Sequence, residues 1–186
     1  MRRGHVLRRF RIKTKEAITA FSTDIIELPF TLIDIGDRDE RFKLIFDRFD
    51  EGLTEHSIKS HGLSGRFKAV YKSRGMDCCF DIDLSIGNLY YFSYDLDTAW
   101  DINFGKNTTA VLRNYGEQPF RSELIFAFDE IGKCTVSGHF MNSECGFRNG
   151  ISFEMAADNS VISSQIVAMV NFFDKLDEIQ GNKNFY

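Results

Sequence analysis

The amino-acid sequence predicts an α+β domain, an antiparallel β-sheet with a mid-chain helix and a long C-terminal helix packed on one face. Three observations carry this. Apolar and polar residues alternate in short segments, most clearly over Asp77–Leu84, where Cys78, Phe80, Ile82 and Leu84 oppose Asp77, Cys79, Asp81 and Asp83. Directly afterwards Leu89, Phe92, Leu96 and Trp100 fall nearly one helical turn apart. Near the C-terminus Ile162, Ile166, Met169, Val170, Phe173, Leu176 and Ile179 form a long apolar helical stripe.

In chain order, "IIELPFTLIDIG" (Ile25–Gly36) is rich in β-branched and apolar residues, and Pro29 within it marks an edge strand or a bulge. "DERFKLIFDRFDEG" is ambiguous: Phe42, Ile45, Phe46 and Phe49 have helical spacing, while Phe42, Leu44 and Phe46 alternate. Its neighbours read as strands, so a strand is expected. "HSIKSHGLSG" is a loop by its glycines and serines. "RFKAVYKS" sets Phe67, Ala69 and Tyr71 against Arg66, Lys68, Val70 and Lys72, a strand with one wet face. Ser85 then offers an N-cap to a helix through "IGNLYYFSYDLDTAW". Past Gly105 the pattern returns to strands in "TTAVLRNY", "RSELIFAFDE", "KCTVSGHFM" and "GISFEMAAD", with "DEIGK" as a hairpin turn. The closing helix runs over Asn159–Ile179, capped by Asp158 or Ser160 and stopped by Gly181.

With 186 residues, 43% of them hydrophobic and 19 of them phenylalanine, the chain can bury a real core and is not a disordered one. Pro29 and Pro119 are its only prolines and no internal repeat is visible. A basic N-terminal arm (residues 1–15) and a single domain (residues 16–186) are expected. Apolar runs such as Ile151–Ala157 and Ile166–Phe173 stop well short of the ~18–20 residues of a membrane span, so no membrane partner is expected. The N-terminus lacks the apolar core of a secretory signal. Cys78, Cys79, Cys134 and Cys145 include no C-x-x-C pair, and neighbouring Cys78 and Cys79 point to opposite faces of a strand. Neither a zinc knuckle nor a disulfide framework is encoded, which points to reduced thiols and the cytoplasm.

The net charge of −4 conceals an asymmetry. Residues 1–15 hold seven Lys/Arg and no acid, leaving 16 basic against 27 acidic side chains on residues 16–186. That surface repels nucleic acid and steers basic protein partners. The acidity concentrates between Asp77 and Asp101, where Asp77, Asp81, Asp83, Asp95, Asp97 and Asp101 occur without one lysine or arginine.

Several chemistries compete for these residues. Asp81 and Asp83 form a D-x-D, as do Asp95 and Asp97, a pattern that in some glycosyltransferases grips a metal-bound nucleotide sugar. Metal binding needs carboxylates converging on one point, and residues two apart on a strand lie about 7 Å apart along one face. The calcium-loop pattern fails at Ala99 and Trp100. His56 and His61 lack the i, i+4 spacing of helical metal ligands. Cys134 and His139 share a strand with odd separation and face opposite ways. No nucleophile elbow or phosphate-cradling loop occurs. Phe92 and Trp100 read as core, while Tyr90, Tyr91 and Tyr94 keep an edge in solvent beside Asp95, Asp97 and Asp101, a composition that protein interfaces favour.

From about Phe80 onward, "NLYYFSYDLDTAW" as a helix after a strand, "SELIFAFDEIGKCTVSGHF" as a hairpin with a G-x-x-x-V-x-G-like core, and "GISFEMAADNSVISSQIVAMVNFFDKL" as a strand, turn and closing helix resemble small bacterial immunity proteins of the WapI type. The resemblance implies inhibition by binding, an acidic surface docking over a basic cognate toxin, with no catalytic residue, metal or cofactor. The expected partner-binding residues are Asp77, Asp81, Asp83, Tyr90, Tyr91, Tyr94, Asp95, Asp97 and Asp101. The alternatives are a metal-dependent enzyme acting on a nucleotide or sugar through D-x-D carboxylates, and a plain protein-interaction module.

Overall fold

The computed structural model describes residues 27–50, 64–102, 105–114, 122–142 and 149–179. The basic arm, the expected loop at His56–Gly65 as far as residue 63, Cys145 and Gly181 lie outside them. Four strands, β1 (Phe30–Gly36), β2 (Glu40–Phe49), β3 (Ser64–Ser73) and β4 (Met76–Ser85), form an antiparallel meander in sequence order. Helix α1 (Ile86–Asp101) leads to a second meander, β5 (Thr108–Arg113), β6 (Glu123–Phe128), β7 (Cys134–Asn142) and β8 (Asn149–Ala157), and α2 (Asn159–Ile179) closes the chain. The α+β class stands, with the strands divided between two sheets. The 16 residues of α1 extend about 24 Å and carry the chain away from β4, so β5 begins a new sheet.

The ambiguous phenylalanine-rich segment is β2. Phe42, Leu44 and Phe46 are fully buried and the residues between them face outward, so the two-residue period prevails over the helical one. Strand β1 is an edge strand and does bulge, with a register shift between Thr31 and Ile33 that turns both Leu32 and Ile33 inward. The buried Gln165 of α2 pins it, its Oε1 accepting the Asp34 backbone N–H at 2.7 Å. Between β3 and β4, Arg74 and Gly75 both have positive φ (43° and 87°), the pairing of a two-residue hairpin turn whose twist matches its strands.

The sheets meet through aromatic rings. Phe42 of β2 lies 5.5 Å from Phe140 of β7 and 4.9 Å from Phe153 of β8, and Tyr71 of β3 stacks on Phe153 at 4.6 Å. Helix α1 seats Phe92 on Phe126 of β6 (5.7 Å), whereas α2 seats Phe172 on Phe30 and Phe46 of the first sheet (5.5 and 5.2 Å). Gly138 of β7 makes room for this layer: a Cβ there would meet the Phe153 ring at 2.3 Å and the Phe140 ring at 2.8 Å. Gly138→Ala should therefore overpack the core and lower stability by about 1–3 kcal/mol, read as a fall in the urea midpoint at constant slope. An unchanged midpoint would mean that the rings move aside freely.

Candidate functional site

The expected acidic residues fall on two elements with different surroundings. On β4, Asp77, Cys79 and Asp81 are exposed on the outer face of the first sheet. Strand β3 lays its own charges opposite them: Lys72 is the register partner of Asp77, Lys68 of Asp81 and Arg66 of Asp83. Lys72 Nζ reaches Asp77 Oδ2 at 3.2 Å. Lys68 Nζ reaches Asp47 of β2 at 2.9 Å, and this bond, with Asp81 adding, holds the Lys68 ammonium above its ordinary pKa.

The pattern continues to β1. Arg41 and Lys43 both bind Asp34 there, at 2.6 and 3.2 Å. Partial burial pushes the Asp34 carboxyl up, but the hydrogen bonds from Arg41 and Lys43 outweigh it and hold the group below its ordinary value. The β4 carboxylates thus belong to a face of alternating sign, in which each exposed pair contributes about 0–1 kcal/mol. Strand β4 read by itself does not reveal this, because the neutralising residues come from the adjacent strand.

Helix α1 differs. Ser85 Oγ accepts the Asn88 backbone N–H at 3.0 Å, the N-cap the sequence predicts. Leu89, Phe92 and Leu96 are buried and Trp100 is half-buried against Phe128, so the inward stripe lies where the spacing placed it. The outward face carries Tyr91 (63% exposed), Tyr94 (52% exposed), Asp95 and Asp101. Tyr90, half-buried, turns its ring edge toward Tyr91 (5.9 Å) and Phe173 of α2 (5.4 Å), and Asp97 is also half-buried. No ion pair engages Asp95 or Asp101 among the described residues.

Helix α2 supplies an internal standard for α1. Placing Phe80 on Phe153 and running forward, the two strand–helix segments keep step: Leu89, Phe92, Ser93, Leu96 and Ala99 are buried, and so are Ile162, Gln165, Ile166, Met169 and Phe172 at the same five positions. Their outward positions do not match. Where α1 has exposed Tyr91, Tyr94 and Asp95, α2 has Ser164, Val167 and Ala168. A helix in this setting therefore needs neither tyrosine nor aspartate at those three positions. This contrast is invisible until the structure shows which residues are equivalent.

The remaining candidates have structural surroundings. Cys134 is buried, and burial pushes its thiol up to about 12, which keeps it protonated and unreactive at neutral pH. His139 points the other way and lies 2.8 Å through Nδ1 from Ser152 Oγ. A small apolar gap between the sheets is lined by Leu44, Ile82, Leu112 and Phe140 with Asn114 and Ser122 at its side, about 10 Å³ in volume, enough for one water. Among the described residues no three of His, Cys, Asp or Glu converge on a point that would hold a metal ion. Among them, too, no helix is long and apolar enough to cross a membrane.

No protein-family model, curated protein or solved structure matches the chain.

Proposed function

We propose that the protein is a non-catalytic, immunity-type binding protein of the cytoplasm, which neutralises a basic protein partner, a cognate toxin, by docking the outward face of α1 on it. The observation that carries this reading is the pairing of exposed Tyr91 and Tyr94 with Asp95 on a helix whose structural counterpart has Ser164, Val167 and Ala168 at those positions. Large amphipathic rings supply contact area at low entropic cost, and Asp95 and Asp101, which no cation pairs among the described residues, steer a partner rich in Lys and Arg. Tyr90, Asp97 and Asp101 extend the same face. Asp77, Asp81 and Asp83 contribute less, because β3 sets Lys72, Lys68 and Arg66 opposite them. The free thiols Cys78, Cys79 and Cys134 fit a reducing compartment.

The test is capture from a lysate of the source organism at low and high salt, with wild-type protein and with Asp95→Lys side by side. One basic protein should be retained by the wild type at low salt, with less retained at high salt and less by the variant. Retention indifferent to both salt and the reversal would remove the electrostatic basis of the proposal.

A further inference from the structure

We infer that the chain is built from two copies of one ββββα unit, residues 30–101 and 108–179, joined so that the helix of each copy seats on the sheet of the other. Element order alone suggests the repeat; the hydrogen-bonded register makes it specific.

In the first sheet Phe46, Phe67 and Ile82 are partners across β2, β3 and β4, and all three are buried. In the second, Phe126, Val136 and Met155 are partners across β6, β7 and β8, again all buried. One pleat along, Leu44, Ala69 and Phe80 correspond in the same way to Leu124, Gly138 and Phe153. Each row thus places a small residue, Ala69 or Gly138, between a leucine and a phenylalanine. From Phe80 and Phe153 the two copies stay in step: Ile82 and Met155 are buried alike, and in the helices the five buried positions from Leu89 to Ala99 match the five from Ile162 to Phe172.

Contacts between the copies follow the same correspondence. Tyr71 of β3 stacks on Phe153 of β8; the equivalent pair in reverse, Phe140 of β7 and Phe80 of β4, also stacks. Their equivalence is fixed by register, since Tyr71 pairs with Cys78 and Phe140 with Ile151, each two residues before the phenylalanine. At the helices the crossing is equally reciprocal. The first residue of β5, Thr108, donates its hydroxyl to the Ala99 carbonyl of α1, while the first residue of β1, Phe30, packs on Phe172 of α2. The register-equivalent Phe126 and Phe46 each receive a phenylalanine from the helix of the other copy, Phe92 and Phe172, which lie two turns apart when the helices are aligned. A plain two-sheet α+β domain has no reason to repeat its residue rows, its small-residue positions and its helix contacts in this reciprocal manner. Two copies related by an approximate twofold axis do.

The arrangement makes each helix more important to the distant sheet than to the strand it follows. Hydrogen exchange on the full chain tests this with two mild variants, Phe92→Leu and Phe172→Leu, which keep most of the buried volume. Phe172→Leu should speed amide exchange roughly three- to tenfold in β1 and β2 and leave β7 and β8 near wild-type rates. Phe92→Leu should give the mirrored map, loosening β5 and β6 and sparing β1 and β2. The inference fails if Phe172→Leu loosens β7 and β8 while sparing β1 and β2, or if both variants loosen all eight strands equally.

Discussion

Phe46→Ala is expected to cost about 3–5 kcal/mol. Phe46 is fully buried and its ring lies 4.8 Å from Phe49, 5.1 Å from Phe67 and 5.2 Å from Phe172, each in an edge-on arrangement. It is the point where β2, β3 and α2 meet, so its removal opens a cavity whose walls belong to three elements. Such a site cannot collapse by shifting one of them, which places the cost toward the upper end of the range. Set against the typical 5–15 kcal/mol of a folded domain, the loss is a large part of the total. At roughly 2–4 °C per kcal/mol for a chain of this size, the melting temperature should fall by about 6–20 °C. Thermal and urea unfolding together measure it. A fall of less than 1 kcal/mol would show that α2 is not held on the first sheet by this cluster.

The fold was legible where local periodicity and local chemistry agree. Ser85 just before the helical stripe of Leu89, Phe92 and Leu96 gives the N-cap of α1, and Asp129–Lys133 forms the expected turn, with the Asp129 carboxylate accepting the N–H groups of Ile131 and Lys133. What the sequence hides depends on pairing between distant segments. Nothing in "DCCFDIDLS" reveals that Lys68 and Lys72 lie opposite its aspartates, so the strand reads as an acidic face when taken alone.

The repeat is hidden for a related reason. Over Phe80–Asp101 and the matching Phe153–Asp174, only Phe80/Phe153 and Asp101/Asp174 are identical, although the buried positions coincide over Leu89–Ala99 and Ile162–Phe172. Burial marks a position as inward without fixing its residue, so Leu96 and Met169, or Phe92 and Gln165, occupy equivalent places. Gln165 shows how far this can go. A polar residue stands where α1 has Phe92 because β1 is an edge strand, and the glutamine accepts the Asp34 N–H there.

The same equivalence supplies the cleanest variant for the proposed binding face. Giving α1 the outward residues of α2 (Tyr91→Ser, Tyr94→Val and Asp95→Ala) should abolish partner capture while leaving the fold intact. The fold argument is direct: the three side chains are exposed, and α2 already carries the replacement residues at the matching positions of a helix in this molecule. Surface changes of this kind stay within about 0.5 kcal/mol. The binding argument rests on magnitude. A buried aromatic anchor is typically worth 2 kcal/mol or more, about 30-fold in affinity, so losing two of them exceeds what the remaining contacts recover. Removing Asp95 should act separately, lowering the association rate and flattening its salt dependence. Asp101→Lys should also weaken binding through charge, and it cannot do so by unwinding α1. Asp101 is the last residue of that helix, where a cation suits the helix dipole and the native last turn has none. Circular dichroism and melting curves establish that each variant folds, and titration against the captured partner gives the affinity. A triple variant that folds and still binds at wild-type strength would place the partner surface elsewhere, and the charge-alternating face of the first sheet would be the next to probe.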